Sequence, residues 1–481
     1  MIPFALTKAD GDFGDAVALS DHRGTLTYSA LLKQAQQAAH RLEKLGVQPE
    51  DAVALLLPPG REYLILLWAL LGYGALAVPL NDRLPFKGLQ EQIQQAETRF
   101  LIAQKDAWPE INKVRKINLT ECLGSFADEE QRPFVPGKKE TQAATVVFTS
   151  GSTGKPAAAL HSYGNHYYSA LGSNTNIKLA PGDRWLLSLP LYHVSGLSVL
   201  FRTALAGATV ILPQDGLSLV KNIQKFLPTH ISLVAAQLRQ LLENAQSAGF
   251  LAGMKAILLG GSAIPPVLIQ KSVRLKLPVH ISYGSTEMAS QICTTKSGAD
   301  LQELRTSGSV LPYRQMRISD SGEVLVKGKT LFLGYLQNGT VNRRVNEEGW
   351  FATGDLGYFD GQKRLLVSGR KDRMFISGGE NIQPEEIERE LEELPPVRRA
   401  VVVPVRDERY GQRPAAFVQT AERQAPDENQ LRDLLADRLP GYKIPLRFLP
   451  WPQSVAQGMK INLNEFEREA EKIILNTEEH L

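Results

Sequence analysis

Thr145-Val146-Val147-Phe148-Thr149-Ser150-Gly151-Ser152-Thr153-Gly154-Lys155-Pro156 is an apolar, β-branched run that opens without a break into Thr, Ser and Gly. Residues of the first kind suit a strand buried on both faces. The small residues after them let backbone N–H groups and hydroxyls converge on an anion. The stretch therefore predicts a strand over Thr145–Phe148 and a phosphate-cradling loop over Thr149–Lys155. It is not a Walker A loop, because Pro156 rather than Ser or Thr follows Gly154-Lys155. A Ser/Gly linker has similar composition, but a linker rarely abuts a buried strand. The same texture recurs at Ala52–Leu57, Trp185–Leu189, Ala208–Leu212, Ala256–Leu259 and Val279–Ser282, with longer amphipathic stretches between. Several of these runs end directly in Gly, Ser or Thr. Such alternation predicts an α/β fold with doubly wound, largely parallel sheets whose strand ends carry ligand-binding loops.

Outward from this core the texture changes. With 481 residues the chain is too long for one compact core, so two or three domains are expected. From about Ser307 short strands and turns take over, as in Gly322-Glu323-Val324-Leu325-Val326-Lys327-Gly328, predicting a β-rich subdomain. A boundary falls at Gly369-Arg370-Lys371-Asp372-Arg373, between the strand-like Leu365–Ser368 and the loop Ser377-Gly378-Gly379-Glu380-Asn381. A helix then starts at Pro384, with Glu385 and Glu386 in its first turn, Ile382 and Ile387 spaced to staple it, and Ile387, Leu391 and Leu394 as its apolar stripe. Residues 426–438 read as another amphipathic helix. The expected division is a large N-terminal domain over 1–369, a connection over 370–373 and a small α+β C-terminal domain over 374–481.

Bulk properties exclude several classes. A net charge of +3 is mild for this length and gives no reason to expect nucleic acid or a membrane surface as partner. Cys122 and Cys293 stand far apart with no Cys-x-x-Cys or His cluster, so neither a disulfide framework nor a structural zinc is expected, and a reducing compartment fits. The start of the chain has no basic n-region followed by an apolar core, so a cytoplasmic location is expected. Tyr63 to Leu80 is uncharged and mostly apolar, just long enough to imitate a membrane span. Gly72, Gly74 and Pro79 interrupt it, and it reads instead as a buried helix over Glu62–Leu71 and a buried strand over Ala75–Val78, without stable membrane insertion.

Further motifs follow the glycine-rich loop in a fixed order: Tyr283-Gly284-Ser285-Thr286-Glu287, Thr353-Gly354-Asp355-Leu356, Gly369-Arg370-Lys371-Asp372 and, near the end, Gly458-Met459-Lys460-Ile461. Together they resemble the adenylate-forming superfamily of acyl-CoA synthetases, luciferases and peptide-synthetase adenylation domains over nearly the whole chain. The resemblance implies ATP, Mg2+ and coenzyme A as small-molecule partners, with a homodimer left open. It assigns Thr149, Ser150, Gly151, Ser152, Thr153, Gly154 and Lys155 to the phosphates, and Gly261, Ser262, Tyr283 and Gly284 to the rest of the nucleotide. Asp355 would accept from the ribose hydroxyls and Arg370 would donate to the same nucleotide. Thr286 and Glu287 would act at the triphosphate, Glu287 holding Mg2+, a hard ion that seeks oxygen. Lys460 matches the lysine that bridges the attacking carboxylate and the α-phosphate. The resemblance also implies a mobile C-terminal domain that turns about Asp372 and brings the Gly378-Gly379 loop to the coenzyme A side. Two departures stand out: Ala157 replaces the basic residue usual after the loop's proline, and Met459 separates Gly458 from Lys460.

Within the superfamily, Leu189-Pro190-Leu191-Tyr192-His193-Val194-Ser195-Gly196, Leu258-Leu259-Gly260-Gly261-Ser262 and Thr286-Glu287-Met288-Ala289-Ser290 resemble the o-succinylbenzoate–CoA ligases of menaquinone biosynthesis. That likeness implies a two-carboxylate acid. Arg202, permanently charged and able to grip a carboxylate at two points, would hold the aromatic one, with His193, Gly260 and Ser290 beside the acyl group. An Arg among apolar residues also occurs as a structurally paired or snorkelling side chain. Another acyl- or aryl-CoA ligase, or a non-catalytic nucleotide-binding relative, remains open on the sequence alone.

Overall fold

The computed structural model describes residues 1–104, 111–124, 130–149, 156–420, 427–452 and 463–478. Among them, two large sheets and the helices around them form the bulk of the N-terminal part. The first sheet runs in the order Thr340–Asn342, Gly334–Gln337, Ala157–Ser162, Ala143–Thr149, Leu76–Pro79, Ala52–Leu56, Phe100–Ala103, Arg115–Asn118. The second runs Ser309–Val310, Ser290–Thr294, Val279–Ser285, Ala256–Leu259, His230–Leu233, Arg184–Leu186, Thr209–Ile211, Val17–Asp21, Gly24–Thr27. Their central strands pair in parallel; both edges of the second sheet and the Thr340–Asn342 edge of the first are antiparallel, whereas the Arg115–Asn118 edge of the first is parallel.

Alternation along a single strand explains the layering. In Ala52–Leu56, Val53 and Leu55 face an inner core while Ala52, Ala54 and Leu56 face an outer one. The inner core also receives Leu19, Trp185, Val210 and Leu258 from the second sheet, so helices lie between the two sheets and join them. One of these is Arg61–Tyr73, every residue of which from Tyr63 onward is buried; Gly74 ends it in a left-handed cap at φ 96°. The apolar stretch is thus a core helix followed by the strand Leu76–Pro79, and no helix among the described residues is long and apolar enough to cross a membrane. The helix Tyr28–Lys44 packs beside it, capped by Thr27, and Tyr28 donates its hydroxyl to the carbonyls of Thr203 and Ala208. That bond ties it to the end of the helix Val194–Ala206.

A four-stranded antiparallel sheet, Arg314–Ile318, Glu323–Gly328, Phe351–Phe359 and Leu365–Arg370, forms the β-rich subdomain. The smaller C-terminal domain is a three-stranded sheet, Val397–Asp407, Gly411–Thr420 and Phe448–Pro450. Helices Pro384–Glu392 and Glu428–Ala436 cover one face of it and helix Leu463–Glu478 the other. Ile382, Ile387, Leu391 and Leu394 are all buried there, and Pro384 occupies the first helical turn.

Three expectations need correction. The strand expected over Trp185–Leu189 ends at Leu186, because the chain turns toward Pro190, whose carbonyl accepts from the His193 N–H. Gly334–Gln337 and Thr340–Asn342 lie within the β-rich stretch of sequence, yet they extend the first sheet by pairing with Ala157–Ser162. The loop expected at Ser377–Asn381 is a tight hairpin between Phe375–Ser377 and Glu380–Ile382. Gly378 (φ 58°) and Gly379 (φ 90°) make a turn that L side chains rarely adopt.

Candidate active site

The strands Ala256–Leu259 and Val279–Ser285 run in parallel, so Gly260-Gly261-Ser262 and Tyr283–Glu287 emerge side by side at their C-terminal ends. This is where open α/β sheets present ligand residues. Tyr283 donates its hydroxyl to Asp355 Oδ2 at 2.6 Å, and Arg370 Nη1 donates to Asp355 Oδ1 at 3.2 Å. Arg370 also grips Asp372 at two points, Nε to Oδ1 and Nη2 to Oδ2, each 3.0 Å. Burial raises the Asp355 carboxyl above its ordinary range, against the lowering effect of Tyr283 and Arg370. The Arg370 guanidinium holds Asp372 below its ordinary range. Tyr283, Asp355, Arg370 and Asp372, read from three separate motifs, are therefore one connected cluster.

Thr286 and Glu287 are held from the first sheet. His161 Nε2 lies 2.6 Å from the Thr286 carbonyl oxygen, which can only accept, so Nε2 carries the proton. Burial lowers the His161 pKa, leaving a neutral ring whose orientation that bond fixes. Glu287 accepts from the Tyr335 hydroxyl at 2.6 Å through Oε1, and its carbonyl accepts from the Phe332 N–H. Burial, reinforced by the Glu287 charge, pushes the Tyr335 phenol up, so it remains a donor. Neither His161 nor Tyr335 was singled out from sequence. The one available signal for Tyr335 was its place in a short strand-like Gly-Tyr-Leu, 48 residues from the carboxylate that it meets. Thr149 ends the strand Ala143–Thr149 and pairs with Ala157, which is itself the first residue of the next strand. Ser150–Lys155 and Lys460 lie outside the described residues.

Arg202 sits in the third turn of the helix Val194–Ala206 and is 1% exposed. Its Nη2 donates to Ser290 Oγ at 3.2 Å and its guanidinium lies 5.4 Å from the Trp185 ring. Among the described residues its Nε has no hydrogen-bond partner, and it makes no ion pair with a carboxylate. Burial, with the Arg314 charge nearby, lowers its pKa to about 9. A guanidinium removed from water without a counter-ion is costly unless an anionic ligand completes it. Ser290 is also within 3.4 Å of Ser198 Oγ. His193 precedes the same helix and stacks edge-on against Tyr192 at 4.8 Å, but lies about 13 Å along the axis from Arg202. Arg202 and Ser290 come together; His193 caps the start of the helix that carries Arg202.

Between the domains, Arg239 Nη1 donates to the Arg398 carbonyl at 2.8 Å. In the small domain the Gly378 N–H donates to the carbonyl of Tyr410 at 2.9 Å.

Paired α/β sheets with these loops at their strand ends, followed by a small α+β domain, define an AMP-binding enzyme. The chain belongs to that family: residues 6–336 match the AMP-binding enzyme model and residues 386–453 match the AMP-binding enzyme C-terminal domain. It is similar to 2-succinylbenzoate–CoA ligase of Bacillus licheniformis, 34% identical over 450 residues that cover 90% of this chain and 92% of that one. Among solved structures, it is similar to o-succinylbenzoate CoA synthetase from Bacillus subtilis in complex with the acyl-adenylate intermediate. That likeness has a TM-score of 0.85 and 30% identity, over 96% of this chain and 98% of the other. The same Bacillus subtilis enzyme in complex with ATP and magnesium ion gives a TM-score of 0.82 at 31% identity, over 93% and 95% of the two chains.

Proposed function

We propose that this protein is a cytoplasmic, ATP-dependent o-succinylbenzoate–CoA ligase serving menaquinone biosynthesis. The observation that carries the substrate choice is Arg202, a buried guanidinium with no carboxylate partner among the described residues. Relatives that are alike over nine-tenths of the chain and named for a two-carboxylate acid support the same reading.

In the first step an oxygen of the succinyl carboxylate attacks the α-phosphorus of ATP, and pyrophosphate leaves. Asp355 accepts from the ribose hydroxyls, Arg370 donates to the same nucleotide, and Gly261, Ser262, Tyr283 and Gly284 line its base and sugar. The loop Thr149–Lys155 surrounds the phosphates, Lys155 taking the part of the basic residue missing at Ala157. Glu287, a carboxylate steadied by Tyr335 beside Thr286, would hold Mg2+, a hard ion that seeks oxygen. Bound there, Mg2+ would neutralise charge on the leaving pyrophosphate. Arg202 pairs with the aromatic carboxylate, Ser290 steadies Arg202, and Gly260 and His193 border the acyl chain. Lys460 bridges the attacking carboxylate and the α-phosphate. In the second step the thiol of coenzyme A attacks the acyl carbonyl and AMP leaves.

The reading divides the chain into an N-terminal domain over 1–369, a hinge over 370–373 and a C-terminal domain over 374–481. Rotation about Asp372 between the two steps withdraws Lys460 and presents Gly378-Gly379 to coenzyme A. Asp372→Pro, which fixes one backbone angle, should let adenylate accumulate while thioester formation slows about tenfold or more. Asp372→Ala controls for the lost Arg370 pair. Wild-type rates for both steps in the proline variant would place the hinge elsewhere.

The reading as a whole is tested by following AMP release with ATP, Mg2+, coenzyme A and a panel of acids. AMP and pyrophosphate should form with o-succinylbenzoate well ahead of mono-acids. Turnover of mono-acids alone would favour another acyl-CoA ligase; no AMP with any acid would favour a non-catalytic relative.

A further inference from the structure

A second guanidinium, Arg314, is buried close to Arg202, and among the described residues it too lacks a carboxylate. All its hydrogen bonds go to oxygens that are neutral. Nε donates to the Gln291 carbonyl at 2.7 Å, Nη1 to the Pro312 carbonyl at 2.8 Å, and Nη2 to the Ser169 carbonyl and hydroxyl at 3.2 and 3.1 Å. Ser169 Oγ in turn donates to the Ala289 carbonyl at 2.7 Å. Residues 289–291 are thus clamped on both sides of Ser290, the residue that hydrogen-bonds Arg202. The segment needs holding: Ala289 (φ 51°) and Ser290 (φ 110°) both sit in backbone regions disfavoured for residues with a side chain. The helix Tyr163–Asn176 makes room for the clamp with Gly172, where a Cβ would stand 2.2 Å from Arg314 Nη1.

A neutral side chain could bridge some of these carbonyls without the cost of burying a charge. A cation hydrogen-bonded through all three of its nitrogens, yet without an ion-pair partner among the described residues, adds positive potential to the place where Arg202 awaits an anion. We propose that Arg314 is a positioning residue for acid recognition: it locks the Ala289–Gln291 turn so that Ser290 orients Arg202, and it reinforces the charge that selects a second carboxylate. This rests on the proposed use of a two-carboxylate acid.

The test compares wild type with Arg314→Met, Arg314→Lys and Ser169→Ala, using o-succinylbenzoate and the keto-acid lacking its ring carboxylate. Arg314→Met should raise KM for o-succinylbenzoate about tenfold, with kcat, the KM for ATP and the KM for the keto-acid each within about twofold of wild type. Arg314→Lys should recover part of the loss, because it restores charge without the planar fork. Ser169→Ala, which loosens the same turn without removing a charge, should shift the same KM about threefold and keeps the test open should Arg314→Met not fold. Adding Arg314→Met to Arg202→Ala should cost clearly less than Arg314→Met costs in the wild type, since the positioning part of its effect acts through Arg202. Equal losses on both acids and ATP, or additive losses in the double variant, would overturn the positioning role. A wild-type enzyme indifferent to the ring carboxylate would sink the substrate reading and this inference with it, whereas a selective wild type with unchanged Arg314 and Ser169 variants would sink this inference alone.

Discussion

Arg202→Ala should raise the Michaelis constant for o-succinylbenzoate by roughly two orders of magnitude or more while leaving that for ATP nearly unchanged. Deleting one partner of a buried ion pair costs about 3–5 kcal/mol, and each 1.4 kcal/mol is about tenfold in affinity. The geometry makes the upper part of that range reasonable. Arg202 is out of water, and among the described residues its Nε is unpartnered and its guanidinium donates to a neutral hydroxyl alone, so little else there competes for its charge. Arg202→Lys should restore only part of the loss, an ammonium being unable to make the planar two-point contact. Steady-state kinetics with the keto-acid lacking the ring carboxylate provide the control. Equal effects of Arg202→Ala on both acids, in an enzyme that uses both equally, would remove the substrate assignment and leave the ligase assignment standing.

Lys460→Ala should slow pyrophosphate release by about a hundredfold or more and spare the conversion of supplied acyl-adenylate to acyl-CoA. The carboxylate and the α-phosphate repel each other as they approach, and a cation placed between them lowers the energy of the state in which both charges meet. The second step has no such encounter, because the attacked group is then a neutral acyl carbonyl. Single-turnover measurements of each half-reaction separate the two; a comparable loss in both would reassign Lys460.

The strands were legible wherever both faces are buried, since Ala52–Leu56 and Ala256–Leu259 each present an unbroken apolar run to two cores. Short edge strands carried no such signal. Gly334–Gln337 joins the first sheet only because Ala157–Ser162 lies waiting for it, a pairing across more than 170 residues that no local pattern records. The candidate site shows the same division. Tyr283, Thr286, Glu287, Asp355 and Arg370 stand in motifs whose residue types suit a nucleotide; Thr286 and Glu287 follow the end of Val279–Ser285, Arg370 ends Leu365–Arg370, and Asp355 lies within Phe351–Phe359. His161, Tyr335 and Arg314 act on those motifs from elsewhere in the chain: a histidine on a carbonyl, a phenol on a carboxylate and a guanidinium on a strained turn. Each is an ordinary residue in its own neighbourhood and acquires meaning from a contact at long range.

The same long-range edges bear on how the chain reaches its native state. Val17–Asp21 completes the second sheet only beside Thr209–Ile211, and the first sheet closes only when Gly334–Gln337 and Thr340–Asn342 are available. During synthesis, the second sheet therefore stays unfinished until about residue 310 has emerged and the first until about residue 342, with buried-type strands held exposed meanwhile. The long hairpin Val397–Gly411–Thr420, by contrast, pairs neighbours in sequence. Contact order predicts that this last-made domain forms quickly and on its own, while the first-made one folds slowly and as a unit.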